Sequence, residues 1–353
     1  MAVKLSLCMI VKNEETVLKR CLASVGDLAD EIVIVDTGST DETKNIARSF
    51  TDAVYDYLWK DDFAAARNYS FSKATGDYLM WLDADDVIEG ENKKLFKELK
   101  KILGKQRPDV VMCRYNIGFD ENGAPAFTYY RERIFKKEGS FVWQGFVHEC
   151  IPPRGNILYS EAAISHRKIS PGNPRRNLEL YQKAIFNAPL STAREKYYYG
   201  RELYYNRLYK EAICILEDAL LDPTLWRIDA AGACKLIAEC HIYLRDYDHA
   251  LTAAFRSFSF MLPTAENLCT VGNIFQLKKN YALAVYWYER ALEAPPEEGG
   301  FVRPEFRDFI PALELSVCHY HLGNLEKAKA YHERARSLRP NHPSVLANER
   351  YFS

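Results

Sequence analysis

The second half of the chain repeats itself, and this periodicity limits what it can fold into. Ala212, Ala250, Ala284 and Ala328 each stand three residues after a bulky side chain: Tyr209, Tyr247, Tyr281 and Leu325. Seven residues after each alanine comes another small residue, Ala219, Ser257, Ala291 or Ala335, and twelve before it Gly200, Ala238, Gly272 or Ser316. Pro223, Pro263, Pro295 and Pro340 close the units. Small residues at these offsets let two antiparallel helices approach closely, while the bulky ones fill the gaps between successive pairs. The last interval is stretched by Pro295-Pro296-Glu297-Glu298-Gly299-Gly300, which reads as a loop. The many aromatics of this half read chiefly as helix packing. For Tyr197, Tyr198, Tyr204 and Tyr205 the alternative is that some face a groove.

The first half has a different texture. Leu5–Val11, Glu31–Val35, Ala53–Tyr57 and Tyr78–Leu82 read as strands, and Glu14–Val25, Asp41–Phe50 and Phe63–Lys73 as helices, with Ser39 or Thr40 as N-cap of the second helix. Strand and helix alternating in this way predict a mostly parallel sheet with helices on both faces. From Asp109 onward, Val110–Phe119, Phe127–Phe135 and Ser140–Val147 read as antiparallel strands between Asn122-Gly123 and Glu138-Gly139 turns. The cluster Ile169-Ser170-Pro171-Gly172-Asn173-Pro174 marks the boundary. The expected organisation is a domain over 1–170, a linker helix region over 171–192 and a repeat domain over 193–353.

The chemistry concentrates at the ends of the predicted strands. Tyr78-Leu79-Met80-Trp81-Leu82 stops abruptly at Asp83-Ala84-Asp85-Asp86. Close carboxylates repel unless something positive sits among them. A divalent cation on Asp83 and Asp85, shared with a phosphorylated ligand, would supply that charge; a solvated turn with Asp86 or a neighbour as helix cap is the plainer alternative. Asn13-Glu14 follows the first strand, Asp36 ends the second and Asp61-Asp62 follows the third. In a parallel sheet these carboxyl ends form one edge, where ligands bind. Asp36 is placed to hydrogen-bond a base or ribose, and Thr37-Gly38-Ser39 gives a turn that lets backbone approach a ligand. Arg67 reads equally as a phosphate ligand or as an ion-pair partner of Asp61 or Asp62. Glu149, closing the run Phe141–His148, is a candidate general base. His148 and His166 by themselves read as structural.

Composition excludes several classes. Lys plus Arg (47) balances Asp plus Glu (48), leaving no net field to recruit nucleic acid or an anionic membrane. Nine scattered cysteines without a Cys-x-x-Cys pair argue against a zinc cluster and a disulfide framework, and for a reducing compartment. The apolar start is too short for a signal peptide, and nothing approaches the ~20 apolar residues of a membrane helix, so a cytoplasmic location is expected. There is neither a Gly-x-Gly-x-x-Gly nor a Gly-Lys-Ser/Thr loop, which counts against dinucleotide redox chemistry and P-loop hydrolysis.

Taken together, the motifs resemble a known family. Ser6-Leu7-Cys8-Met9-Ile10-Val11-Lys12-Asn13-Glu14-Glu15, Asp30–Asp41, Trp59–Asn68, Trp81–Asp86, Gly145–Glu149 and Ile164-Ser165-His166 resemble, in this order, the family-two inverting glycosyltransferases of the A-type fold. The repeats of the second half match the tetratricopeptide pattern of about 34 residues. A tetratricopeptide tail behind such a domain is similar to bacterial enzymes that include the peptide S-glycosyltransferases of glycocin biosynthesis. The resemblance implies an α/β nucleotide-sugar-binding domain with a mixed sheet, followed by an all-α repeat domain. It implies a nucleotide-sugar donor, usually UDP-linked, held by Val11, Asn13, Glu14, Asp36, Gly38, Ser39, Asp61, Arg67, Asp83 and Ala84. Mn²⁺ or Mg²⁺ would sit on Asp83 and Asp85, with His166 as the C-terminal histidine ligand. Glu149, with His148 beside it, falls at the catalytic acidic position, although many relatives carry a Glu-Asp pair where this chain has His148-Glu149.

Inverting transfer needs a base for the acceptor's proton and positive charge on the departing diphosphate, which suits these residue types. A peptide or protein side chain is one implied acceptor, with polysaccharide and lipid-linked sugar as alternatives. The repeats are expected to engage a peptide or to build a homodimer. Two other readings compete: a helical-repeat scaffold with a degenerate nucleotide-binding domain, and a nucleotidyltransferase using the same carboxylates.

Overall fold

A computed structural model describes residues 3–119, 123, 125–169, 172–295 and 303–352, the side chain of residue 126 excepted. The expected Asn122 turn residue, Ser170-Pro171 and most of the loop from Pro296 lie outside the described residues. The chain divides into two compact units, Met1–Asn173 and Pro174–Ser353.

The first unit runs β1 (Leu5–Val11), α1 (Leu18–Val25), β2 (Glu31–Asp36), α2 (Thr43–Arg48), β3 (Val54–Asp56), α3 (Phe63–Lys73), β4 (Tyr78–Trp81), β5 (Asp86–Val87), α4 (Asn92–Gln106), β6 (Val110–Phe119), β7 (Pro125–Lys136) and β8 (Ile157–His166). One sheet holds all eight strands in the order β3-β2-β1-β4-β7-β6-β8-β5. The strands β3, β2, β1 and β4 are parallel, β7 runs antiparallel to β4 and β6, and β8 returns parallel to β6. Alternation along each strand supplies two cores. Leu7, Met9 and Met80 pack under Leu18, Leu22 and Leu99 on one face, and Cys8, Leu79 and Trp81 pack with Ala64 and Phe71 of α3 on the other.

Chain connectivity forces this sheet to curl. β5 follows β4 almost at once yet lies four strands away, a flat separation of ~19 Å. The intervening residues form a tight turn, Asp86 N–H donating to the Asp83 carbonyl at 3.0 Å. The far edge must therefore fold back over the end of β4, which brings His166 beside Asp86 as its strand partner.

Three expectations are corrected. Ser140–Val147 is not a strand; it is a loop closed by the bridge between Gln144 and Cys150, and β8 is the third strand of this region. Gly145 and His148, at φ +85° and +54°, take conformations that end a strand rather than continue it. Asp86 does not cap a helix but begins β5, and neither Ser39 nor Thr40 caps α2, whose N-cap is Glu42.

The second unit is all helical: α5 (Arg176–Asn187), then the pairs α6 (Ala193–Tyr205) with α7 (Tyr209–Leu220), α8 (Arg227–Tyr243) with α9 (Tyr247–Arg256), α10 (Ala265–Leu277) with α11 (Tyr281–Glu293), α12 (Phe309–His321) with α13 (Leu325–Leu338), and α14 (Pro343–Glu349). The small residues stand where the periodicity predicts. A Cβ added to Gly200 would fall 2.5 Å from Leu216, and one added to Gly272 would fall 2.9 Å from Tyr288. Each pair turns through the same backbone device. Arg207, Arg245, Lys279 and Gly323 adopt positive φ, and Leu208, Asp246, Asn280 and Asn324 donate N–H at 2.9 Å to Leu203, His241, Phe275 and His319.

Candidate active site

The carboxyl ends of β1 and β2 are laced together before any ligand arrives. Thr37 donates its N–H to the Val11 carbonyl at 2.9 Å, Asn13 N–H donates to Ser39 Oγ at 3.0 Å, and Thr40 N–H donates back to Asn13 Oδ1 at 2.8 Å. Glu14 N–H donates to Thr43 Oγ1 at 2.7 Å. Asp36 is buried at 2% exposure, and its Oδ1 accepts from Gly38 and Ser39 N–H, while its Oδ2 is buried without a hydrogen-bond partner. Gly38 has φ +104°, and a Cβ built on it would touch nothing within 4 Å, so open space lies before that turn. Asp61, at φ +56°, accepts from Trp59 Nε1 at 2.9 Å. Asn13, Asp61 and His148 are all non-glycine residues held at φ +54° to +56°, backbone that other contacts must stabilise and that recurs at functional sites.

Beyond β4, charge is paired in two tiers. The deeper tier is Asp86 with Arg133, both fully buried and 3.0 Å apart. Asp86 Oδ1 also accepts from Tyr115 Oη at 2.9 Å, and Oδ2 from Asp83 N–H at 3.0 Å. Arg133 lies over Trp81 and Tyr115, 3.8 and 4.2 Å from their ring centres. Upon this base sits the outer tier: Asp83 on Arg67, Asp85 facing His166, and Ala84 buried between. Burial alone would raise the Asp83 carboxyl, but Arg67, with Arg133 and Arg131 behind it, holds it well below the usual carboxylate range. His166 Nδ1 lies 3.3 Å from Asp85 and 3.4 Å from Asp86. Burial opposes its charge, yet the two carboxylates push the imidazole up to about 10.

Arg67 lies neither with Asp61 nor with Asp62. Its Nη2 donates to Asp83 and its Nε to Glu149, both at 2.7 Å, and the guanidinium lies between the Trp81 and Trp143 rings at 4.8 and 4.9 Å. Next along α3, Asn68 clasps the Trp143 backbone at both ends: Nδ2 donates to its carbonyl at 3.0 Å, and its N–H donates to Oδ1 at 2.9 Å. Phe63 N–H, in the first turn of α3, donates to the Phe146 carbonyl at 2.9 Å. Thus α3 holds the whole loop that carries His148 and Glu149. Glu149 keeps only 11% of its side chain exposed.

Of the residues the sequence singled out for a metal, Asp85 and His166 come together, and Asp86 is the third member of that cluster, with one ligand atom from each within 4.8 Å of the others. Asp83 is instead turned toward Arg67. Asp86, Arg133, Tyr115 and Asn68 carried no assigned site role. Asp86 and Asn68 lie inside quoted motifs, but Arg133 and Tyr115 sit in ordinary strands, and only the register of β6 and β7 brings them to the site.

Residues 6–164 match Glycosyl transferase family 2. Among curated relatives, the SPbeta prophage-derived glycosyltransferase SunS of Bacillus subtilis (strain 168) is 30% identical over 224 residues, 60% of this chain and 52% of its own length. A TPR repeat-containing protein of Synechococcus elongatus is 37% identical over 149 residues, 42% of this chain and 35% of its own. The lipopolysaccharide core biosynthesis glycosyltransferase LpsC of Rhizobium meliloti is 29% identical over 163 residues, 43% of this chain and 58% of its own. The chain thus spans about a third to three fifths of the length of these relatives. Among the described residues, no helix is long and apolar enough to cross a membrane. Residues 6–164 are a glycosyl transferase family 2 domain, and helix pairs of the tetratricopeptide type follow it in the same chain.

Proposed function

We propose that this chain is a metal-dependent inverting glycosyltransferase that moves a sugar from a UDP-linked donor to a nucleophilic side chain of a peptide or protein. The observation that carries the reading is Arg67, which ties the candidate base Glu149 to the Asp83–Asp86 turn and so sets two carboxylate centres side by side. One centre suits a leaving diphosphate, and the other suits an acceptor proton.

The donor set supports a divalent ion of the Mn²⁺ or Mg²⁺ kind. Asp85 and His166 offer an oxygen and a nitrogen, and His166 Nδ1 is buried without a well-formed hydrogen bond. Asp86 is already engaged by Arg133, Tyr115 and the Asp83 N–H, so Asp85 and His166 would be the protein's ligands. Such an ion, when bound, would neutralise charge growing on the diphosphate as the anomeric bond breaks. On the donor side, the unpartnered Asp36 Oδ2 would accept from the base or the ribose, with Val11, Asn13 and Gly38 shaping that end. Glu149 would take the acceptor proton on its carboxylate, held in place by Arg67 and the loop clasp of Asn68. The tetratricopeptide-type unit motivates a polypeptide acceptor.

The test is release of UDP from a panel of UDP-sugars, with and without Mn²⁺, in the presence of candidate peptides. Metal-dependent UDP release supports the reading. Pyrophosphate release would favour nucleotidyl transfer, and no turnover of any nucleotide sugar would favour a scaffold.

A further inference from the structure

The turn of the second helix pair shares a histidine at its first position with the fourth pair, His319, and differs from all three counterparts at its third, His249. The bond that closes each turn superposes His241, Asp246 and His249 on Leu203, Leu208 and Glu211, on Phe275, Asn280 and Leu283, and on His319, Asn324 and Lys327. The first position is a packing site in two of the three, filled by Leu203 and Phe275, and the second is a helix N-cap. Helix pairing therefore demands no histidine at 241 and none at 249. Yet here two imidazoles and a carboxylate converge: Nδ1 of His249 lies 2.8 Å and Nδ1 of His241 3.5 Å from the same Asp246 Oδ2. All three ligand atoms fall within 4.8 Å of one another, one of two such groups among the described residues.

Capping explains only part of this. Asp246 accepts from the His249 N–H and Nδ1, an ordinary N-cap arrangement at the start of α9. It does not explain His241, whose Nδ1 is buried without a hydrogen-bond partner and faces that carboxylate. The two rings lie nearly parallel, 21° apart. His249 is 71% exposed, so its ring has room to turn.

We propose that His241, Asp246 and His249 form a site for a borderline transition ion of the Zn²⁺ class, with water filling its open positions. Nitrogen-rich and exposed, it differs from the oxygen-rich cluster at Asp85, and it stands independently of the transferase reading.

The test is titration of the full chain with Zn²⁺ by calorimetry, and with Co²⁺ by visible absorption, in a His166→Ala background that removes the strand-end histidine. One ion per chain is expected. His249→Ala, and separately His241→Leu (the residue the first pair uses), should weaken binding by ~100-fold or more, since losing even a group that only orients a ligand costs ~10–100-fold. A Zn²⁺-induced rise in melting temperature should vanish in the same variants. Absence of binding in the parent, or binding unchanged in both variants, would overturn the proposal; His249→Ala lies on the exposed surface, so its result does not depend on refolding of the core.

Discussion

Arg67 Nε and Glu149 Oε1 lie 2.7 Å apart although 82 residues separate them in the chain. The same guanidinium reaches Asp83 at 2.7 Å, so one side chain with 6% exposure spans both carboxylate centres. Its planar fork makes this possible, because two donors leave it in fixed directions.

Arg67→Lys should therefore fail despite keeping the charge. An ammonium cannot hold two divergent carboxylates in the same geometry, and one of them is left buried and unpaired. Breaking such a pair costs ~3–5 kcal/mol. Chemical denaturation should show that loss, and UDP release should fall by ~100-fold or more.

Glu149→Gln and Asp85→Ala should separate chemistry from binding. The first keeps shape and removes basicity, so turnover should fall by ~10²–10⁴-fold while UDP affinity, read by calorimetry, is retained. The second should abolish turnover and also weaken UDP binding in the presence of Mn²⁺. Equal loss of both quantities in Glu149→Gln would move that residue from proton transfer to donor binding, and wild-type turnover of Asp85→Ala in chelator-treated buffer would remove the metal.

Glu31 anchors the amino-terminal strands against acid. Burial works to raise its carboxyl, but hydrogen bonds from Ser6 Oγ and from Thr75 N–H and Oγ1, with Lys4 nearby, lower it from 4.5 to about 2. A carboxyl lowered in the folded state stabilises above its unfolded pKa, and that contribution disappears as pH falls through the folded value. At ~1.4 kcal/mol per pH unit the contribution is ~3 kcal/mol. Glu31→Gln should lower stability at neutral pH, and the gap from wild type should close between pH 4.5 and about 2 in acid-denaturation curves.

The helix-pair turns offer a gain. Arg207, Arg245 and Lys279 occupy positive φ where the fourth turn uses Gly323. Lys279→Gly should stabilise by ~0.5–1 kcal/mol, and Gly323→Ala should destabilise by about as much, both read from melting temperatures.

Much of this protein was legible residue by residue. The spacing of Ala212, Ala250, Ala284 and Ala328 determined paired helices, because small side chains at fixed offsets permit only close antiparallel packing. The apolar run ending at Asp83, and the alternation before it, determined an α/β unit with carboxylates at a strand edge. The run ending at Glu149 already marked a candidate base, and family resemblance added His166 as a candidate metal ligand. Tertiary structure alone decided how those groups are held. Arg133 and Tyr115 reach Asp86 through strand register, β8 arrives at the end of β4 because the sheet curls, and the Glu149 loop is clasped by Arg67 and Asn68 across more than seventy residues. Local periodicity records which face of an element is apolar. It carries no information about which distant polar groups must share a charge once both are buried, since that pairing is set by where the backbone places them.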